Sequence, residues 1–238
     1  MTIDTAMVLA AGLGQRMRPI TDTCPKPLVR IAGRAMLDHA LDRLGEAGIP
    51  KAVVNVHHLA EQIERHLAAP RRPAVTISDE RDALLETGGG VKRALPLLGE
   101  TFIAMNSDSL WAEEGGSNIA RMAANWRPAE MDCLLLLAAR DSLGYDGRGD
   151  FHLGTDGRLT RRAGDGNAPY VYAGVGIFKR EGFAETPDGA FSLNLLFDRA
   201  IAAGRLFGQP LQGEWLHVGT PEAIPAAEAR LAARRAAA

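Results

Sequence analysis

Three groups of residues in this chain have types and spacings that could do chemistry. Near the start stands Gly12-x-Gly14-x-Arg16-x-Arg18-Pro19-x-Thr21, followed by Pro25-Lys26-Pro27. Glycines let the backbone turn tightly, and amides in such a turn can point at an anion. Arg16, Arg18 and Lys26 add positive charge within one loop, and the flanking prolines hold Lys26 extended. A polyphosphate is the ligand such a loop suits. Further on, Glu86-Thr87-Gly88-Gly89-Gly90 precedes a helical run from Val91 to Leu98 and invites a second close approach of backbone to ligand, a flexible hinge being the alternative. Then Asn106-Ser107-Asp108-Ser109 follows an apolar strand, Phe102 to Met105. A carboxylate at a strand's end is placed to hold Mg²⁺, a hard cation that prefers oxygen ligands, although a helix cap or turn is the commoner use of a lone Asp.

Other chemistries are excluded by what these motifs lack. Met17 stands where the dinucleotide fingerprint needs a third glycine, and no Gly-Lys-Ser/Thr follows to make a Walker loop. His57-His58 has no accompanying Cys or His at metal-ligand spacing and reads as a pair of loop residues.

The elements that position the motifs follow from hydrophobic periodicity. Met7 to Ala10 reads as a short buried strand leading into the first loop. Met36, Leu37, Ala40, Leu41, Leu44 and Ala47 share one helical face, ended by Gly48, and Leu59, Ile63 and Leu67 mark a second helix. Between them lies the strand Ala52 to Val56, and Ala74 to Ser78 is the next. This alternation predicts an α/β fold with a Rossmann-like, mostly parallel sheet flanked by helices. Ile119 to Trp126 continues as helix, and Asp132 to Ala139, with four successive leucines, as a strand buried on both faces. From about 140 to 170 glycines punctuate short segments, Asp150 to Leu153 and Arg158 to Arg161, which predicts a small hairpin-bearing lobe inserted over the sheet. Tyr170 to Phe178 is a further sheet strand, Asn194 to Ala203 a helix, Arg205 to Pro210 an edge strand, and an Ala-rich helix with a fraying end closes the chain.

At 238 residues, 46% apolar and 24% charged, the composition is that of an ordinary soluble domain, and 1–238 reads as one domain. The net charge of −2 gives no general attraction for nucleic acid. Two cysteines, Cys24 and Cys133, are too few for a disulfide framework. No basic-then-apolar leader is visible, and no apolar run could span a bilayer, so a cytoplasmic protein without membrane partners is expected.

Taken together, the first loop with Pro25-Lys26-Pro27, Glu86 to Gly90, Asp108, Gly147-Arg148-Gly149-Asp150-Phe151 and Trp215 to Thr220 resemble the signature of the sugar-phosphate nucleotidyltransferases. Within that family the pattern is similar to the group of N-acetylmuramate α-1-phosphate uridylyltransferases. The resemblance implies a domain that joins a nucleoside triphosphate, UTP above all, to a sugar 1-phosphate and releases pyrophosphate, as in cell-wall sugar recycling. It implies Arg16, Lys26 and Asp108 as catalytic residues, and a nucleotide site of Leu9, Ala11, Gly12, Gly14, Arg16, Lys26, Glu86, Thr87, Gly88 and Gly89. It further implies a sugar-phosphate site of Asn106, Asp108, Gly149, Asp150 and Gly174, with Mg²⁺ held at Asp108. The chain departs from the family at His217, where a second metal-binding Asp is expected. Imidazole suits Mn²⁺ or Co²⁺ better than Mg²⁺. A GTP-dependent mannose- or heptose-1-phosphate guanylyltransferase, or a nucleotide-binding module with an impaired metal site, would share the loops. The sugar and the oligomeric state stay open at this level.

Overall fold

A computed structural model describes residues 3–236 of the chain. In chain order it contains β1 (Thr5–Leu9), β2 (Arg30–Ile31), β3 (Arg34–Ala35), α1 (Met36–Glu46), β4 (Lys51–Val56), α2 (Ala60–Leu67), β5 (Ala74–Asp79), α3 (Glu86–Ala94) and β6 (Thr101–Asn106). There follow β7 (Trp111–Glu113), α4 (Asn118–Asn125), β8 (Cys133–Ala139), β9 (Phe151–Leu153), β10 (Leu159–Arg161) and β11 (Tyr170–Lys179). The last elements are α5 (Asn194–Ala202), β12 (Leu206–Pro210), β13 (Gly213–Trp215) and α6 (Ile224–Ala236).

Strands β6, β1, β4 and β5 pair in parallel. The long β11 runs antiparallel between β6 and β8, and β12 joins the outer side of β8 in parallel as an edge. Alternate residues of each strand enter different cores, because successive side chains point to opposite faces. Ala6, Val8, Val54 and Ile103 meet α1, α2 and α4 through Leu41, Ile63 and Ile119. Met7, Val53, Phe102 and Ala104 meet α3 and α5 through Val91, Leu196 and Phe197. Both faces of the sheet are therefore covered, as the unbroken apolar runs required. This is the expected fold class.

Chain direction places the working loops. β1 and β6 are adjacent and parallel, so the loops after Leu9 and after Asn106 leave the same edge of the sheet side by side. The hairpin β9–β10 attaches to β11 at Tyr170, beyond the carboxyl end of β6, and so stands over that edge. The pair β7–β13 crosses beside it, with Trp215 opposite Trp111.

One sequence expectation is corrected. The helix expected to begin at Val91 begins at Glu86, so Gly88, Gly89 and Gly90 are buried inside its first turns. They are there for packing. A Cβ on Gly89 would sit 2.2 Å from the carbonyl oxygen of Gly189, and one on Gly90 would sit 2.8 Å from Glu80 Oε1. The closing helix is described to Ala236, with the guanidinium groups of Arg230 and Arg234 2.5 and 3.9 Å from Glu214; positions 237 and 238 of the end expected to fray lie outside the described residues. No helix among the described residues is long and apolar enough to cross a membrane.

The packing role of the glycines has a measurable consequence. Alanine improves helix propensity by about 1 kcal/mol over glycine, whereas forcing a methyl into a closed contact costs about 1–3 kcal/mol. With backbone as the obstacle, Gly89→Ala should lower stability in chemical denaturation by at least about 1 kcal/mol. Unchanged or raised stability would show that the 189–191 segment yields freely.

Candidate active site

The first loop folds as three successive single turns, Gln15–Met17, Ile20–Asp22 and Lys26–Leu28. Gly14 adopts φ +63, the left-handed region, and a Cβ there would press on Thr21 and on Lys26 Cβ. Its carbonyl accepts hydrogen bonds from Met17 N–H and the Thr21 hydroxyl, each at 2.8 Å. The loop is thus drawn tight around Gly14, and Lys26 is brought back over the end of the sheet. Gly12, by contrast, has no protein atom within 4 Å of where its Cβ would lie. The space beside it is open to a ligand.

Across the cleft, the turn after β6 is held from both sides. Ser107 N–H donates to Leu9 O at 3.1 Å, and the Ser109 hydroxyl donates to Ala173 O at 2.9 Å. Gly174, at φ +80, leaves room for Ser109 and Asn106, whose polar atoms would lie 2.1 and 2.9 Å from a Cβ. Asp108 projects from this turn to form an ion pair with Lys26 Nζ, which donates to its Oδ2. Two motifs 82 residues apart meet at this contact.

The pair stands at the junction of two clefts. One, of about 230 Å³, is lined by Leu9, Ala11, Gly12, Gly14, Lys26, Glu86, Thr87, Asn106 and Asp108 among the anticipated residues. The other, of about 470 Å³, carries Arg16 together with Gly12, Gly14, Lys26, Asp108 and Gly219. Gly88 and Gly89 line neither; both N–H groups donate to Phe191 O, at 2.7 and 3.1 Å. Gly149 also serves local packing: its φ is +77, and a Cβ would lie 2.1 Å from Ala168 O. Asp150 and Asn106 face a third cavity of about 250 Å³, which shares the Thr87 and Asn106 walls with the first.

Sequence reading missed Asn55 and Glu80, which also line the first cleft. Asn55 Oδ1 accepts from Ala10 N–H at 2.6 Å, and its Nδ2 donates to Glu80 Oε1 at 2.8 Å. Glu80 is fully buried, and its Oε2 has no partner among the described residues. Burial pushes its carboxyl above the usual range, opposed by the hydrogen bond from Asn55. The available signal was a polar Asn interrupting the apolar run Ala52 to Val56.

His217 is positioned by the β7–β13 pair and by its own N–H, which donates to Leu143 O at 2.9 Å. Its ring packs against Trp215 and the edge of Tyr145, with centroids 5.1 and 5.8 Å away. Burial lowers its pKa, Arg16 and Lys26 reinforce that, and Asp108 and Asp146 oppose it. The imidazole is therefore neutral at pH 7. Among the described residues no group of three or more His, Cys, Asp and Glu could by itself hold a metal ion. Asp108 alone still fits a hard cation whose remaining ligands are phosphate oxygens and water.

A parallel-sheet end carrying a glycine turn, two cations and one carboxylate defines a phosphoryl-transfer class of site, and comparison with known proteins places it. The fold matches UDP-glucose pyrophosphorylase from Acinetobacter baumanii with a TM-score of 0.81 over 96% of this chain and 93% of that one, at 17% identity. Residues 5–142 match the family model described as nucleotidyl transferase. Over 95% of its length the chain is 51% identical to the N-acetylmuramate alpha-1-phosphate uridylyltransferase of Caulobacter vibrioides, 96% of which is covered. It is 37% identical, over 90% of its length and 93% of the relative's, to the enzyme of that name from Neisseria meningitidis serogroup B. The chain belongs to the nucleotidyl transferase family.

The Asn55 bridge offers a test of how the cleft wall is held. Asn55→Ala would strand both the Ala10 N–H and Glu80 Oε1, and losing buried hydrogen bonds of this kind, one to a carboxyl group, costs about 2–4 kcal/mol in sum. Urea denaturation should show a loss in that range. A loss below about 0.5 kcal/mol would mean that neither group depends on the bridge.

Proposed function

We propose that this chain transfers a uridylyl group from UTP to the α-1-phosphate of N-acetylmuramic acid, giving the nucleotide sugar and pyrophosphate. The observation that carries the reading is the meeting of Lys26 and Asp108 at the junction of the two clefts, in a chain resembling uridylyltransferases along nearly its whole length. The nucleophile is a phosphate oxygen of the sugar phosphate, already anionic, so no general base is needed. It attacks the α-phosphorus, and the bond from that phosphorus to the bridging oxygen of the leaving pyrophosphate breaks.

What such a reaction needs is positioning and neutralised charge. Arg16 and Lys26 face the wider cleft and neutralise the triphosphate, Arg as a planar fork and Lys as a point charge. Gly12 leaves the backbone open to the nucleotide. Asp108 would hold a divalent cation, Mg²⁺ by the hardness of its oxygens, which when bound supplies charge neutralisation between the reacting phosphates. A magnesium nucleotide would satisfy both members of the Lys26–Asp108 pair at once, phosphate for the lysine and metal for the carboxylate. His217, neutral and set against aromatic rings, adds no positive charge beside that cation and is not needed as its ligand.

The base is read in the narrower cleft. Glu80, fully buried behind that cleft, has Oε1 engaged by Asn55 and Oε2 without a partner among the described residues. The hairpin segment 140–170 forms the sugar-side lobe of one nucleotidyltransferase domain spanning 1–238. A cytoplasmic enzyme of cell-wall sugar recycling agrees with the two free thiols, Cys24 and Cys133.

Pyrophosphate release is the test. With N-acetylmuramic acid α-1-phosphate and Mg²⁺, kcat/KM for UTP should exceed that for GTP by at least about tenfold. Lys26→Ala, folded by circular dichroism, should lower kcat more than about tenfold through loss of a charged contact in the transition state. Equal use of GTP would reassign the base site, and normal turnover of Lys26→Ala would remove the lysine from the chemistry.

A further inference from the structure

The histidine pair His57-His58, whose spacing suits no metal site, stands at the end of β4. That strand lies between β1 and β5 and runs parallel to both, so the loops after all three leave one sheet edge together. The loops after β1 and β5 both line the narrower cleft: Gly12, Gly14 and Lys26 come from one, Glu80 and Leu84 from the other. The loop between them begins with the two half-buried imidazoles.

His57 reaches toward β5. Its Nδ1 donates to Glu80 O at 2.7 Å, and since a carbonyl only accepts, the proton is on Nδ1. The same carbonyl accepts Ala83 N–H at 3.1 Å, and Glu80 N–H donates to Val56 O at 2.9 Å. Three hydrogen bonds therefore set the turn that delivers Leu84, Glu86 and Thr87 to the cleft. His58 reaches the other way. Its Nε2 donates to Thr21 O at 3.2 Å, and Gln62, from the first turn of α2, donates to Thr23 O at 3.0 Å. Thr21 is buried, with its hydroxyl on Gly14 O, so His58 backs the turn around which Arg16 and Lys26 fold. The next residue, Leu59, takes φ +51, a conformation that leucine adopts rarely and that surrounding contacts must hold.

We propose that His57 and His58 are positioning residues that set the nucleotide cleft through two different loops, with separable kinetic effects. His57 fixes the wall that binds the nucleotide, and His58 fixes the cations that meet its phosphates. Neither imidazole lines either cleft, so both act through other residues. The inference rests on the uridylyltransferase reading and deepens it.

The test is steady-state pyrophosphate release with UTP, Mg²⁺ and N-acetylmuramic acid α-1-phosphate. A wall that binds ground state and transition state alike changes KM, whereas cations aimed at transition-state charge change kcat. His57→Ala should raise the KM for UTP about fivefold to tenfold, with kcat within about twofold of wild type. His58→Ala should lower kcat at least about tenfold, because displaced groups lose rate steeply. Amide variants supply the rescue: Asn Nδ2 is as many bonds from Cα as histidine Nδ1, and Gln Nε2 as many as histidine Nε2. His57→Asn and His58→Gln should return KM and kcat to within about twofold of wild type, and the exchanged variants His57→Gln and His58→Asn should not. Tm of each variant separates lost fold from lost position, and where an alanine variant does not fold the amide contrast alone decides. The same kinetic change in both alanine variants, losses that follow Tm, or no rescue by the matching amide would overturn the assignment and leave the uridylyltransferase reading standing. No turnover of UTP by wild type would overturn both.

Discussion

The ion pair between Lys26 and Asp108 is the constraint on which the working end of this protein depends. It ties the loop after β1 to the turn after β6, two segments that adjacent parallel strands deliver to the same sheet edge. The lysine is more enclosed than the carboxylate, with side-chain exposures of 14% and 33%. Each partner thus has some water left, and the pair sits where opposite charges can be exchanged for those of a ligand without stranding either one. The loop reaches this geometry through the tight turn at Gly14, and the acid through hydrogen bonds from Ser107 and Ser109.

Around that contact the fold sets three cavities. The wider cleft, with Arg16 and Gly12, is electropositive and open. The narrower one is backed by the buried Asn55–Glu80 bridge, which also fixes Ala10 at the end of β1 and lies against Gly90 in α3. The lobe carrying β9 and β10 adds a cavity of its own, hydrogen-bonded to β11 through Asp150. On the proposed function, phosphate, base and sugar would be met by different elements while the reacting centre stays on strand ends. Reaction geometry tolerates little displacement, so placing it on the sheet and the specificity on lobes is physically economical.

Much of the fold was legible in the chain. The runs around Met7, Val53 and Ile103 are strands because they are apolar on both faces, and α1 and α2 follow from their spacing. The antiparallel course of β11 was not legible, since a strand buried on both faces looks the same in either direction. The small β7–β13 pair, which seats His217, has too few residues to show a period. In the site, Lys26 and Asp108 stood out because proline, glycine and charge cluster around them. Asn55 and Glu80 did not, because each is a lone polar residue whose partner lies far along the chain. The triple glycine misled for a physical reason: absence of a Cβ serves a close approach to a ligand and a close approach to another segment equally well, and only the 189–191 backbone decides between them.

The most direct test of the account is a crystal structure with Mg²⁺ and a non-hydrolysable UTP analogue, read for the distance from Lys26 Nζ to Asp108. The account predicts that the pair opens, Lys26 turning to a phosphate oxygen and Asp108 to the metal, with uracil in the narrower cleft. An intact Lys26–Asp108 pair, with the nucleotide bound elsewhere, would contradict it.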